Sequence, residues 1–183
     1  MQYILVVYIK NTFLWNPRKG KNITMIFITL GSQKFQFNRL LKAVDEQVAE
    51  GKITDEIFAQ IGASDYFPKY FKFKPFLNRN EFAEWQSRCD IVITHGGTGA
   101  IIGAVKKGKK VIAIPRLQKY GEHVDDHQLQ LISQFSELDL ICECHDCDEI
   151  WKAIEKVKQT EYQSYKSNTN TIIEAIEEFI NKR

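Results

Sequence analysis

The chain has 183 residues, 44% hydrophobic and 26% charged, a size and composition suited to one globular domain with a substantial core. The net charge of +2 conceals an asymmetry: Lys10, Arg18, Lys19 and Lys21, with no acid among residues 1–24, leave the remainder at a net −2. That balance argues against a polyanion-binding body, and no nucleic-acid partner is expected.

Residues 1–24 are expected to form a leader outside the folded core. Their longest apolar run, residues 3–9, is far shorter than the ~20 residues that cross a bilayer. It also lacks the basic start and small-residue cleavage site of a secretory signal. Asn22-Ile23-Thr24 matches a glycosylation acceptor, which carries no meaning without secretion. The chain is therefore expected in the cytosol, with its four cysteines reduced. Asn16-Pro17-Arg18-Lys19-Gly20-Lys21 is rich in breakers and bases. It reads as sequence upstream of a start at Met25, or as a weak contact with an anionic membrane surface; the first is favoured.

Met25-Ile26-Phe27-Ile28-Thr29-Leu30 reads as a first strand, ending at Gly31-Ser32. Phe37, Leu40, Leu41, Val44 and Val48 recur at helical spacing, which predicts an amphipathic helix over residues 36–50. Residues 56–61 and 70–74 read as further strands, and residues 81–87 as a short helix. Ile91-Val92-Ile93 is a buried strand that runs into Thr94-His95-Gly96-Gly97-Thr98-Gly99, followed by a helix over residues 100–107. Residues 110–114 form a strand stopped by Pro115. A helix over 125–135, a strand over 139–142 and a helix over 146–157 follow. Ile172, Ile173, Ile176, Phe179 and Ile180 form the apolar stripe of a terminal helix, which packs on the sheet or meets a partner. The body of the domain is expected over residues 25–160, with 161–183 as a C-terminal helix.

Strands alternating with helices imply an α/β, Rossmann-like fold, a parallel sheet with helices on both faces. In such sheets ligands bind beyond the carboxyl ends of the strands. Three segments converge there. Ser32, after the first strand, can donate its hydroxyl and N–H to a phosphate, or simply cap a turn. His95 can donate an imidazole N–H to a phosphate oxygen. Gly96, Gly97, Thr98 and Gly99 let backbone approach a ligand closely, and the following helix aims its N–H groups and positive dipole end at the same place. The third segment is Gly121-Glu122-His123-Val124-Asp125-Asp126-His127-Gln128, where Asp126 and Gln128 can bond sugar hydroxyls, or Asp can cap a helix.

Neither candidate metal cluster is expected to bind. His123 and His127 are spaced as in a two-histidine helical pair but lack the glutamate that metalloproteases place between them. Cys142-Glu143-Cys144-His145-Asp146-Cys147 offers enough ligands for zinc, but so short a run cannot easily aim four of them at one centre, and no second knuckle exists. No metal and no cofactor are expected.

These segments, in this order, resemble the C-terminal donor-binding domain of GT-B glycosyltransferases of family 28. The chain also resembles the short cytosolic catalytic subunits of two-component UDP-sugar transferases. These include the dolichol-chitobiose N-acetylglucosaminyltransferase subunit and capsular or exopolysaccharide β-1,4-galactosyltransferase subunits. The resemblance covers residues 25 to about 135 well, and the Thr-His-Gly-Gly-Thr-Gly and Asp-His-Gln motifs together are fairly specific. It implies that His95 and the backbone of Gly96 to Gly99 hold the UDP diphosphate, assisted by Ser32. It implies further that Phe76 and Leu77 read the uracil edge, and that Asp126, His127 and Gln128 hold the donor sugar. Family members often carry an acid eight residues after the histidine to grip the ribose; here that position is Gly103.

The resemblance thus implies an inverting transferase of a hexose or N-acetylhexosamine. It would move the sugar from a UDP-sugar to a lipid-linked saccharide acceptor, without a divalent metal on the diphosphate. His95, backbone N–H groups and the helix dipole would stabilise the departing negative charge. No residue presents itself as the general base, which implies a membrane-anchored partner carrying the acceptor lobe and placing the chain at the inner face of the membrane. The alternative is a non-catalytic nucleotide-sugar-binding or regulatory subunit. A dinucleotide oxidoreductase is disfavoured, because Gly31-Ser32-Gln33 does not open a Gly-x-Gly-x-x-Gly turn.

Overall fold

The computed structural model describes residues 24–167 together with 177, 178 and 180. The leader up to residue 23 and most of the expected terminal helix, including all but Ile180 of its apolar stripe, lie outside the described residues.

Six strands form one parallel sheet in the order β3-β2-β1-β4-β5-β6. They are β1 Met25–Thr29, β2 Glu56–Gln60, β3 Lys72–Lys74, β4 Ile91–His95, β5 Lys110–Ile114 and β6 Cys142–Glu143. The helices between and after them are α1 Asn38–Ala49, α2 Arg79–Arg88, α3 Thr98–Val105, α4 His127–Glu137 and α5 Ile150–Gln159. The central strands are apolar on both faces because both faces are covered. In β1 the alternation is clean: Ile26 and Ile28 join a cluster with α1 and α5, while Met25 and Phe27 join one with α2, α3 and α4. On the second face the Trp85 ring lies flat on Phe58, centroids 3.7 Å apart.

Most helix ends shift by one or two residues from the pattern read in the sequence, and three other differences have a local reason. The third strand starts at Lys72 rather than residue 70, because the buried Asp45 carboxylate of α1 accepts the N–H groups of Lys69 (2.9 Å) and Tyr70 (2.8 Å) and holds that segment as a loop. The last strand starts at Cys142 rather than 139. Asp139 takes a left-handed conformation (φ 54°) just past α4, its N–H donating to the Ser136 carbonyl (2.9 Å), so it ends the helix instead of opening the strand. Finally, Cys147–Glu149 form a single 3₁₀ turn, with Asp146 accepting from the Asp148 N–H (3.0 Å), before α5 begins.

Two helix starts use different devices. α2 carries a capping box, in which the Asn78 side chain accepts from the Asn80 and Glu81 N–H groups and the Glu81 carboxylate accepts from the Asn78 N–H. At α1 the residue before the helix, Phe37, has no capping oxygen. Its N–H donates to the Ser64 hydroxyl (2.9 Å), which ties the helix to the loop after β2. No helix of the described residues is long and apolar enough to cross a membrane.

Candidate functional site

β1 and β4 lie side by side at the centre of the sheet, and the connections from them run to opposite sides. The gap beyond their carboxyl ends is the switch point at which open α/β sheets receive ligands. Three loops meet there: residues 30–37 after β1, Gly96 and Gly97 after β4, and residues 115–126 after β5.

His95 closes β4 and its ring occupies the gap. A Cβ on Gly31 would lie 2.8 Å from His95 Cε1, and one on Gly97 would lie 2.5 Å from Nε2, so the imidazole is sandwiched between two backbones that only glycine leaves bare. Gly31 is also left-handed (φ 75°), a second reason for glycine there. Burial lowers the His95 pKa to about 4, aided by the Arg116 charge and opposed by a hydrogen bond with the Thr29 backbone. The ring is thus neutral at pH 7 and offers one N–H and one lone pair.

The amides expected to cradle a diphosphate divide into two pairs. The Gly96 N–H turns inward to the Gln128 side-chain oxygen (3.2 Å), and the Gly97 N–H bonds the His95 carbonyl (2.7 Å). Those of Thr98 and Gly99 open α3 and have no intrahelical acceptor. A Cβ on Gly99 would meet nothing within 4 Å, so this end of the helix faces open space. A Cβ on Gly31, Gly62, Gly96, Gly97 or Gly103 would meet protein within 4 Å.

Arg116, immediately after Ile114 and Pro115, was not singled out in the sequence. It is 1% exposed, and its Nη2 donates to the carbonyls of Leu30 (2.7 Å) and Phe35 (3.1 Å), pinning the loop after β1 from beneath. Gln60 assists by donating to the Gly31 carbonyl (3.1 Å). Burial lowers the Arg116 pKa to about 10, so it stays charged, and its Nε has no hydrogen-bond partner. The available signal was a cation directly following a buried strand at the edge where ligands bind. Arg39 was missed likewise, and Glu122 stood in the third segment without a role. The buried Glu122 carboxylate takes two hydrogen bonds from Arg39 (3.0 and 3.1 Å) and one from the Leu117 N–H (3.0 Å), linking α1 to the loop after β5.

The remaining candidates are placed as follows. Gln128, 3% exposed, bridges two strand ends, its oxygen accepting from Gly96 and also from the Arg116 N–H (3.0 Å). Asp126 is exposed and accepts from the Gln118 N–H (2.7 Å), closing its own loop rather than capping α4. His127 is exposed, with its Nδ1 in contact with the Asp125 carboxylate. Ser32 is exposed in the loop after β1. Phe76 (53% exposed) and Leu77 follow β3, on the same edge of the sheet but two strands away from β1; Leu77 packs on the α2 side. Gly103 sits inside α3, where an added Cβ would face Gln86 of α2 at 3.9 Å.

The cysteine run does not form a ligand set. Cys142, Cys144 and Cys147 are buried, and burial pushes the thiols up, those of Cys144 and Cys147 to about 12. They are therefore protonated thiols at pH 7. Among the described residues, one set of side chains does converge: His123, Asp125 and His127, with ligand atoms within 4.8 Å of one another.

The family model described as "Glycosyltransferase family 28 C-terminal domain" matches residues 25–182. No curated protein sequence matches the chain. Among solved structures, similarity extends to CalG4, the calicheamicin glycosyltransferase (TM-score 0.58, 18% identity), covering 80% of this chain and 36% of that one. It extends also to Acinetobacter baumannii MurG (0.54, 15%), covering 76% and 43%. The solution structure of ALG13 (0.51, 18%) is covered over 88% of its length and 78% of this chain. The chain thus spans well under half of the first two enzymes, and identities this low speak for the shared fold alone.

Proposed function

Because the chain belongs to the glycosyltransferase family 28 C-terminal domain family, we propose that it binds a UDP-sugar at the β1–β4 gap as the catalytic subunit of an inverting transferase. A hexose or N-acetylhexosamine passes to a lipid-linked saccharide acceptor in polysaccharide or glycan synthesis. One observation carries this reading: a neutral imidazole held between Gly31 and Gly97, beside the unengaged N–H groups of Thr98 and Gly99.

The chemistry follows from that arrangement. As the bond between anomeric carbon and diphosphate breaks, negative charge grows on UDP. The His95 N–H, the two helix amides and the positive end of α3 stabilise it without a metal on the diphosphate. Arg116 acts through backbone, holding the carbonyls of the β1 loop inward. Gln128 fixes the distance between Gly96 and α4, and the loop ahead of it, with Asp126 and His127, faces the sugar. Phe76 and Leu77 take the uracil edge, and Ser32 supports the phosphates. A membrane-anchored partner supplies the acceptor lobe and the general base, keeping this subunit at the cytoplasmic membrane face. The fold match covers 88% of ALG13 and under half of CalG4 and MurG, which suits a donor-binding lobe that acts with a second one.

A non-catalytic nucleotide-sugar-binding subunit is the second reading, favoured by Gly103 where family members often carry a ribose-gripping acid. Titration of UDP into the full chain, followed by calorimetry and backbone amide NMR, tests the site. Binding is expected to shift Thr98 and Gly99 and to weaken at least ~10-fold in His95→Ala, the loss of one charge-assisted hydrogen bond. No binding, or equal binding by the variant, overturns the site. Turnover of a UDP-sugar panel with the partner separates catalyst from binding subunit.

A further inference from the structure

We propose that His123, Asp125 and His127 form a binding site for a late first-row divalent cation, zinc foremost, at the entrance to α4. This does not rest on the transferase reading.

The three side chains come from alternate positions of one turn, and their candidate ligand atoms lie within 4.8 Å of one another. Both histidines present Nδ1 to the same Asp125 oxygen: His123 at 3.3 Å, His127 in direct contact. The two rings meet edge to face, centroids 4.8 Å apart. On its other side the His123 ring packs against Phe35, also at 4.8 Å, leaving its side chain 10% exposed. His123 Nδ1 has no hydrogen-bond partner; the carboxylate is near enough for an ion pair but out of line for a hydrogen bond. A buried ring nitrogen left unpaired is unfavourable, and such orphans are uncommon. A cation between the two imidazoles and the carboxylate satisfies it.

The donor set selects the ion. Two imidazole nitrogens and one carboxylate suit zinc and its late first-row neighbours better than magnesium or calcium, which prefer oxygen alone. Ligands at about 2.1 Å from a tetrahedral centre lie about 3.4 Å apart. The exposed Asp125 and His127 side chains reach that spacing by rotation. Three protein ligands leave a coordination position open. Metal on Nδ1 would also fix the proton on Nε2 of each ring. The two histidines do not form a helical pair. In the structure His123 precedes α4, and the turn places Asp125 between the rings.

The test uses the full chain without a histidine tag, stripped of metal by a chelator and titrated with Zn²⁺ or Co²⁺ alone. One equivalent is expected to bind, with a cobalt spectrum showing visible d–d bands and no thiolate charge-transfer band. Affinity is expected to fall at least ~10-fold in His127→Ala, an exposed position whose loss leaves the core intact, and in Asp125→Asn. Absence of stoichiometric binding overturns the proposal, as does binding untouched by His127→Ala. A thiolate band would place the metal at Cys142, Cys144 and Cys147 and overturn it equally.

Discussion

A methyl group on Gly97 would sit 2.5 Å from His95 Nε2, although the backbone there (φ −79°) accepts any residue. Gly97→Ala is therefore expected to displace the imidazole rather than unfold the chain. UDP affinity should drop by ~10-fold or more while stability changes by less than about 1 kcal/mol, checked by calorimetry and urea unfolding. His95 also makes stability depend on pH. Its folded pKa of about 4 lies below the unfolded value near 6.5, so the unfolded chain binds the proton first. Above pH 6.5 the group contributes no pH dependence; as pH falls from 6.5 to 4 it removes up to about 3 kcal/mol. His95→Gln should lose that decline, visible as a difference from wild type in unfolding free energy between pH 7 and pH 4. At this scale the sequence was readable where chemistry is carried by composition, as in His95 and its glycines. It marked Arg116 only as a cation after a buried strand, because only the assembled sheet places its guanidinium against the β1 loop.

α4 approaches the end of β4 more closely than any Cβ at Gly96 would allow, since that atom would lie 2.7 Å from Gln128 Cβ and 3.0 Å from Ile132 Cδ1. The Gln128 Cβ is fixed to the helix backbone and cannot swing clear, and the Ile132 methyl is fully buried among its neighbours. Gly96→Ala is expected to push α4 from the sheet and cost about 1–3 kcal/mol in chemical denaturation. UDP affinity should fall with it, because the helix carries Gln128. The same glycine was read from sequence as a phosphate contact; its N–H instead serves the protein's own amide side chain. Element types were legible throughout, since doubly covered strands are continuous apolar runs and α1 has a clear stripe. Element ends were not. The carboxylate of Asp45 shortens β3, and the left-handed Asp139 delays β6. Long-range contacts of that kind leave no periodic mark.

Across the whole molecule, the proposed ligand gap is built from neighbouring strands far apart in sequence, with α1, β2, β3 and α2 lying between β1 and β4 along the chain. Its open side faces away from the sheet, toward the place proposed for the partner's acceptor lobe. On that proposal UDP-sugar turnover is expected to require a membrane-anchored second subunit, whereas UDP binding should persist without one. Turnover by this chain alone at the rate of the complex would sink the two-lobe proposal.

The buried thiols split between the layers. Cys89 lies in the cluster under α2, α3 and α4, and Cys142, Cys144 and Cys147 lie in the one under α1 and α5. An alkylating reagent reaches each group only when the covering layer lifts. Mass-resolved labelling of the four therefore clocks the breathing of the two faces separately, with no probe introduced into the chain.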